Sequence, residues 1–132
     1  MKPHVGHIGI VVKDAHLMVS TLCKALAIPI VEVKDNPEKQ MKFALVKLGG
    51  IDLEILEDYN PDGKFSKFNF ENGNAIHHIC LLSDCLEKDI ELLEGRGIEM
   101  SNKEPTLGLR GKRIVFTAEG AVDGLTFEFS EP

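Results

Sequence analysis

The sequence predicts an α+β protein made of two copies of one unit, in which a strand and a helix are followed by three further strands. Three observations indicate this duplication. An apolar, strand-like run begins at His7 and again at His78. Each run leads through an Asp into a helix-like segment, and the last strand of each half carries a carboxylate flanked by apolar residues, Glu54 or Glu128. Self-similarity at this scale indicates a repeated supersecondary unit.

The elements of the first half follow from its hydrophobic periodicity and its breakers. Residues 4–12 alternate as a strand does, and Asp14 occupies the N-cap position of a helix over residues 16–27. This helix should stop before Pro29, because the residue that precedes a proline is pushed out of the helical region. Three strands are then predicted, at residues 30–34, 41–48 and 51–56, the last two joined at Gly49-Gly50.

A polar segment with a short helix at residues 64–70 separates the two halves, which span about residues 4–58 and 74–132. A helix over residues 85–96 has apolar side chains at helical spacing and ends at Gly97. The other predicted elements of the second half are a strand at 76–82, a loop at 101–111 and a hairpin of strands at 113–117 and 125–130.

Alternation along the strands places four polar side chains on the face opposite the apolar residues. These are His7 and His78 on the first strand of each half, and Glu54 and Glu128 on the last. A carboxylate in such a position either faces solvent or lines a concave site, and the repeat favours the second interpretation for Glu54. His77 should point away from its neighbour, and with His4 and His16 it falls outside the repeated pattern.

Two imidazoles and two carboxylates form a ligand set suited to a divalent first-row metal ion, here Co, Mn, Ni or Zn. Such a set leaves coordination positions for water or for a bidentate substrate. The lack of thiolate ligands argues against a closed structural zinc site. A metal ion held in this way is a Lewis acid that can stabilise an enolate.

Composition limits the classes of function. The chain has 132 residues and no linker, which favours one domain over residues 1–132. Its net charge of −6 disfavours a nucleic-acid partner. It lacks an apolar run of the roughly 18 residues that a membrane helix needs, and it shows no signal-peptide pattern, which predicts a cytoplasmic protein without a membrane partner. Its 3 cysteines show no CxxC spacing, as expected of buried thiols in a reducing compartment.

Several motifs together resemble the vicinal-oxygen-chelate superfamily, which includes glyoxalases, bleomycin-resistance proteins and dioxygenases. These motifs are His7-Ile-Gly-Ile, Leu53-Glu54-Ile-Leu-Glu57, Ile76-His-His78-Ile and Gly108-Leu-Arg-Gly-Lys112. The double His and the Gly-x-x-Gly-Lys pattern are most similar to the methylmalonyl-CoA epimerase family, and the resemblance runs along the whole chain. It implies two tandem βαβββ modules in one glyoxalase-like domain with a metal-holding cup, and a homodimer.

The resemblance also implies roles for individual residues. The metal ligands would be His7, Glu54, His78 and Glu128, and a second catalytic carboxylate falls on Glu38. Epimerisation α to a thioester needs a base on one face of the carbanion and an acid on the other. Glu38 and Glu128 would fill these two roles, with Glu128 also a metal ligand.

The implied substrate is a small thioester, an acyl-CoA, whose phosphates would contact the basic cluster Arg110-Gly-Lys112-Arg113. From the residues alone, that cluster is either a solvated loop or a cradle for a phosphorylated ligand on an acidic protein. Two departures from the family pattern bear on the substrate. Gln40 replaces a common glycine near Glu38, and Thr117-Ala-Glu-Gly120 replaces a frequent His-Pro-Lys.

Two other functions stay open. A glyoxalase I-type lactoylglutathione lyase would isomerise a hemithioacetal by the same proton transfer, with a glutathione adduct in place of the acyl-CoA. A non-catalytic ligand-binding protein of the bleomycin-resistance type would generally lack the four ligands. Ring-cleaving dioxygenation is disfavoured, because it typically uses two His and one carboxylate with open positions.

Overall fold

The structure, a computed structural model, describes residues 3–132. Eight strands and three helices within these residues confirm the α+β class. The order of a strand, a helix and three strands occurs twice, with one further helix between the copies, which is the predicted pair of βαβββ modules. The elements are β1 His4–Val11, α1 Ala15–Ala25, β2 Lys34–Asn36, β3 Met41–Leu48, β4 Ile51–Asp58, α2 Lys64–Asn72, β5 Ala75–Leu82, α3 Leu86–Gly95, β6 Thr106–Leu107, β7 Arg113–Phe116 and β8 Phe127–Ser130.

Backbone packing divides the described chain into two compact units. The first unit is residues 8–77, and the second unit is residues 78–132 together with the start of β1, residues 3–7. Hydrogen bonds order the strands β2-β3-β4-β1 in one module and β5-β8-β7-β6 in the other. Each module therefore places its first strand beside its fourth and its fourth beside its third, so the sequence repeat is also a repeat of topology.

One face of α1 packs on the strands of the first unit. The helix begins as its sequence predicts, because the Asp14 carboxylate accepts a hydrogen bond from the Leu17 N–H at 3.0 Å. Its buried face and the strand residues beneath it form one apolar cluster. That cluster comprises Val12, Ala15, Val19, Cys23, Ala44, Val46 and Ile55.

The second unit has its own core under α3. Leu86 and Ile90, one helical turn apart, pack against Val115 of β7 and Phe129 of β8. Removal of such side chains from water contributes roughly 25 cal/mol per Å² of apolar surface. Each module therefore supplies a core that holds its own strands in register.

The strand predicted at residues 30–34 is wrong in position. Residues 28–33 are irregular, and the second strand of this module is β2, Lys34–Asn36. Pro29 cannot donate to a ladder, and Ile30 beside it is 71% exposed. Only the three residues next to the turn over residues 37–40 pair with β3. The position of β2 is therefore set by the geometry of this turn.

The last strands also differ from prediction. The loop predicted at residues 101–111 contains β6, which pairs with β7 through Thr106 opposite Ile114. The final strand starts at Phe127 and not at Leu125, because Leu125 closes a tight turn with Val122.

The helices are short. α1 has 11 residues, α2 has 9 and α3 has 10. None of the helices within residues 3–132 is long and apolar enough to cross a membrane.

Candidate metal centre

Two buried histidines meet in the second unit. His7 lies on β1 and His78 on β5, and each is 2% exposed. Their Nε2 atoms are 3.2 Å apart, and the rings meet edge to face with centroids 5.4 Å apart. The fold thus brings the two equivalent histidines of the repeat into contact.

Glu128 faces the same two nitrogens. It lies on β8, which runs parallel to β5 and places Glu128 opposite Cys80. Its Oε1 is 3.1 Å from Nε2 of His7 and 4.0 Å from Nε2 of His78, and the residue is 4% exposed. Within residues 3–132, no donor is aligned to hydrogen-bond with this buried oxygen. A buried carboxylate oxygen without a hydrogen bond destabilises the folded protein, unless a bound ligand such as a metal ion interacts with it.

The surroundings of Glu128 act on its pKa in opposite directions. Burial raises the pKa of this carboxyl, because the charged form loses its hydration. The close approach of His7 and the electrostatic influence of the His78 and His7 rings together lower the pKa more strongly. The pKa of Glu128 therefore lies below the ordinary carboxyl value, and the side chain is a carboxylate at neutral pH.

Two further side chains pack around the cluster. Phe116 of β7 contacts the His78 ring edge-on, with centroids 5.0 Å apart. The Cys80 sulfur lies within 4.8 Å of a ring nitrogen of His7 and a carboxylate oxygen of Glu128. These contacts limit the orientations open to both rings and to the carboxylate.

The donor set fits a divalent metal ion. Two imidazole nitrogens and one carboxylate oxygen converge from β1, β5 and β8, and all three side chains are buried. Two His and one Glu are among the ligand sets that hold catalytic zinc with a position left open. Nitrogen and oxygen donors are also common ligands of cobalt, nickel and manganese.

Glu54 lies in the first unit, on β4 opposite Leu45 of β3. It is 6% exposed, which excludes the solvent-facing alternative for this carboxylate. A buried carboxylate requires partners that compensate its charge. The assignment of Glu54 as a metal ligand stays a prediction.

The residues predicted to act on the substrate lie in turns and at a strand start. Glu38 is exposed in the turn between β2 and β3, and Lys112 is exposed in the turn between β6 and β7. Arg113 begins β7, and its guanidinium is 2.5 Å from a Glu87 oxygen and 3.3 Å from a Glu131 oxygen. Hydrogen bonds from Arg113 lower the pKa values of the Glu87 and Glu131 carboxyls below the ordinary value of a glutamate. A phosphate would therefore have to compete with two carboxylates for Arg113.

The three histidines outside the repeat lie elsewhere. His4 is exposed at the start of β1, and His16 is exposed on α1. His77 points away from its neighbour, as strand alternation predicts. Its ring packs edge-on against Phe65 and Phe68 of α2, with both centroid distances at 4.8 Å.

One contact of this centre has no signal in the sequence. Arg110 places Nη2 of its guanidinium 2.8 Å from Nδ1 of His7. The contact depends on the hairpin of β6 and β7, and the short β6 has no periodicity by which it could be predicted. Cys80 is different, because alternation along β5 puts it on the same face as His78.

Comparison with known proteins assigns the family. Residues 6–116 match the Glyoxalase/Bleomycin resistance protein/Dioxygenase superfamily. The chain belongs to this superfamily. The match includes nearly all of the first module, and it includes the second module as far as the end of β7, in agreement with the resemblance that the motifs carry.

Similar proteins include both uncharacterized and named members. The uncharacterized protein YqjC of Bacillus subtilis (strain 168) is 27% identical over 131 residues, which cover 97% of this chain and 91% of that protein. Mitochondrial methylmalonyl-CoA epimerase of Homo sapiens is 23% identical over 128 residues, which cover 96% of this chain and 73% of that protein.

A solved structure of Streptomyces coelicolor methylmalonyl-CoA epimerase in complex with 2-nitronate-propionyl-CoA has a TM-score of 0.86 at 24% identity. The alignment covers 97% of this chain and 93% of that one. At this identity, the likeness shows that the superfamily member shares the epimerase fold, and no more.

Proposed function

We propose that this superfamily member is a metal-dependent isomerase that moves a proton α to a thioester, with methylmalonyl-CoA as its substrate. One observation carries the proposal: Nε2 of His7, Nε2 of His78 and Oε1 of Glu128 converge in a buried cluster. Glu54 is proposed as the fourth ligand from its place in the repeat. When bound, a divalent ion supplies a Lewis acid that stabilises negative charge on a carbonyl oxygen.

The proton transfers are assigned to carboxylates of the chain. Epimerisation removes a proton from one face of the α-carbon and delivers one to the other face. Glu128 is the proposed base on one face, because its carboxylate lies beside both histidines of the centre, where the α-carbon of a bound substrate would be held. Glu38 is the proposed second acid and base, since an exposed carboxyl can exchange its proton with solvent.

The substrate class rests on chemistry and on similar proteins. Relatives that are named methylmalonyl-CoA epimerases align over 96% of this chain, and one solved epimerase structure holds an acyl-CoA analogue. The exposed cation of Lys112 suits the phosphates of CoA on a chain whose net charge is −6. A homodimer and a cytoplasmic location stay predictions.

Proton exchange tests the proposal directly. The protein is loaded with cobalt, methylmalonyl-CoA is added in deuterated water, and loss of the α-proton signal is followed by NMR. We expect exchange with the loaded protein and none with His78→Ala, which removes one of the two ring nitrogens of the centre. His77→Ala is the matched control, because this neighbouring ring packs on Phe65 and Phe68, away from the cluster.

The outcomes separate the alternative functions. Bound cobalt without α-proton exchange would reject the epimerase, and conversion of methylglyoxal with glutathione would then identify the glyoxalase I-type lyase. Bound cobalt with neither reaction would reject both enzyme activities. Failure of the wild-type protein to bind cobalt or zinc would reject the metal centre itself and would favour a ligand-binding protein of the bleomycin-resistance type.

A further inference from the structure

Arg110 connects an exposed turn with the buried centre. It lies in the turn between β6 and β7, where the Gly108 N–H donates to the Lys112 carbonyl at 2.8 Å, and the residue as a whole is exposed. Its Nη2 nevertheless lies 2.8 Å from Nδ1 of His7, a side chain that is only 2% exposed. One cation thus reaches from solvent to the outer nitrogen of a proposed metal ligand.

This contact determines which nitrogen of the His7 ring carries the proton. A guanidinium has only donors, so Nδ1 of His7 must be the acceptor. A neutral imidazole has one ring proton, which then resides on Nε2. That nitrogen lies 3.1 Å from Oε1 of Glu128 and 3.2 Å from Nε2 of His78, so the proton occupies the centre of the cluster.

A metal ion requires the opposite arrangement. Metals bind a ring nitrogen through its lone pair, so His7 can offer Nε2 only when its proton is on Nδ1. Nδ1 would then be a donor that faces the donors of Arg110, and the two groups would repel each other. A divalent charge on the other side of the ring adds to this repulsion.

We propose that Arg110 and a divalent metal ion compete for His7, so that metal loading turns the Arg110 side chain from the ring to a carboxylate of the substrate. This inference rests on the proposed metal centre. Arg110 already reaches a ligand of that centre, so its guanidinium, once released from the ring, lies beside the place where an acyl group bound at the metal would present its carboxylate. A guanidinium binds carboxylates well, because its fork of donors matches their two oxygens.

The proposal predicts that the arginine weakens metal binding in the absence of substrate. Cobalt binding is titrated by calorimetry for the wild-type protein and for Arg110→Ala. Without its competitor the metal should bind more tightly, by about 5- to 150-fold, the usual range of a coupling between two ligands. Both proteins are checked by circular dichroism, and we expect identical spectra since Arg110 is exposed.

Lys112→Ala is the matched control, because it removes the same charge from the same turn without touching the His7 contact. We expect its cobalt affinity to change far less than that of Arg110→Ala. Equal tightening in the two variants would show a general effect of charge and would overturn the proposal.

A second readout needs no metal. Nitrogen-15 spectra of histidine-labelled protein report which ring nitrogen is protonated, and the metal-free wild-type protein should show His7 protonated at Nε2. Arg110→Ala should release this preference and give a mixture of tautomers. A wild-type His7 protonated at Nδ1, or equal cobalt affinity of the wild type and Arg110→Ala, would overturn the competition while the metal centre stands. Absence of cobalt binding in every variant would overturn both.

Discussion

Ala27 and Gly97 occupy the same position in two equivalent helix ends, and both adopt a left-handed backbone, with φ of 53° and 84°. After each of them an isoleucine N–H donates to a carbonyl in the last turn of the helix, Ile28 to Cys23 and Ile98 to Leu93, both at 3.0 Å. This is the Schellman arrangement, in which glycine is the usual residue. The repeat has kept the turn, but the first module makes it with an alanine.

Ala27→Gly should therefore stabilise the protein. An L-residue in the left-handed region costs about 1–2 kcal/mol. Glycine avoids this cost, but it loses more backbone entropy on folding than alanine does, which offsets about 0.5–1 kcal/mol of the gain. We expect a gain of about 0.5–1 kcal/mol in the free energy of unfolding, because Ala27 is exposed and its methyl group supports no packing. Urea unfolding at constant m-value measures it.

Gly97→Ala is the reciprocal control for the same turn. A Cβ at this position would meet no atom within 4 Å, so any loss of stability comes from the backbone alone. We expect a loss of about 1 kcal/mol. If both variants left the midpoint of unfolding unchanged, the two helix ends would not be strained in the way their φ angles indicate.

Periodicity predicts the long elements and fails on the short ones. α1 and α3 have apolar side chains at helical spacing and a capping signal at one end, so both were predicted within about two residues of their observed ends. β2 and β6 have 3 and 2 residues, too few for any pattern, and they exist because β3 and β7 provide partners. Tertiary pairing, and not local preference, sets these strands.

The candidate site shows the same division. Alternation and the repeat together select His7, His78 and Glu128, because each lies at a matched position on a strand whose facing is fixed by the pleat. The contact from Arg110 to His7 joins residues far apart in sequence and depends on where a two-residue strand docks. No spacing rule applies to such a contact.

Glu54 should contribute to metal binding, as its place in the sequence repeat predicts. We expect Glu54→Gln to lower cobalt affinity by at least about tenfold, since loss of even an indirect partner of a metal costs that much. Glu57→Gln, on the same strand, is the control. The Glu57 carboxylate accepts the Ala15 N–H at 2.8 Å at the start of α1, so its replacement should affect stability and leave cobalt affinity unchanged. Cobalt affinity is measured by calorimetric titration of both variants. Equal cobalt affinities of Glu54→Gln and Glu57→Gln would remove Glu54 from the ligand set.

Glu38→Gln tests the assignment of two carboxylates to two faces of the substrate. An amide cannot accept or deliver the proton, so kcat for epimerisation should fall by about 10²- to 10⁴-fold. Exchange of the α-proton of one epimer with deuterated water should continue, because the other carboxylate, Glu128, is intact. Glu32→Gln, another exposed acid in the same unit, should leave both rates unchanged. Full epimerase activity of Glu38→Gln would exclude the two-base scheme.

Lys112 and Arg113 are adjacent in the basic cluster, but they should contribute differently to substrate binding. Lys112→Ala should raise the KM for methylmalonyl-CoA by about two- to fivefold, the effect of one exposed ion pair with a phosphate. Arg113→Ala should raise it less, because its guanidinium already contacts Glu87 and Glu131.

Salt provides the independent check on this difference. Added salt screens an exposed cation from a phosphate, so it should raise the KM of the wild-type protein and of Arg113→Ala. The KM of Lys112→Ala should respond more weakly, since the screened contact is already lost. A larger KM for Arg113→Ala than for Lys112→Ala would mean that the substrate draws Arg113 away from both carboxylates. In that case the Glu87→Gln variant, which lacks one of the two competing carboxylates, should have a lower KM for methylmalonyl-CoA than the wild-type protein.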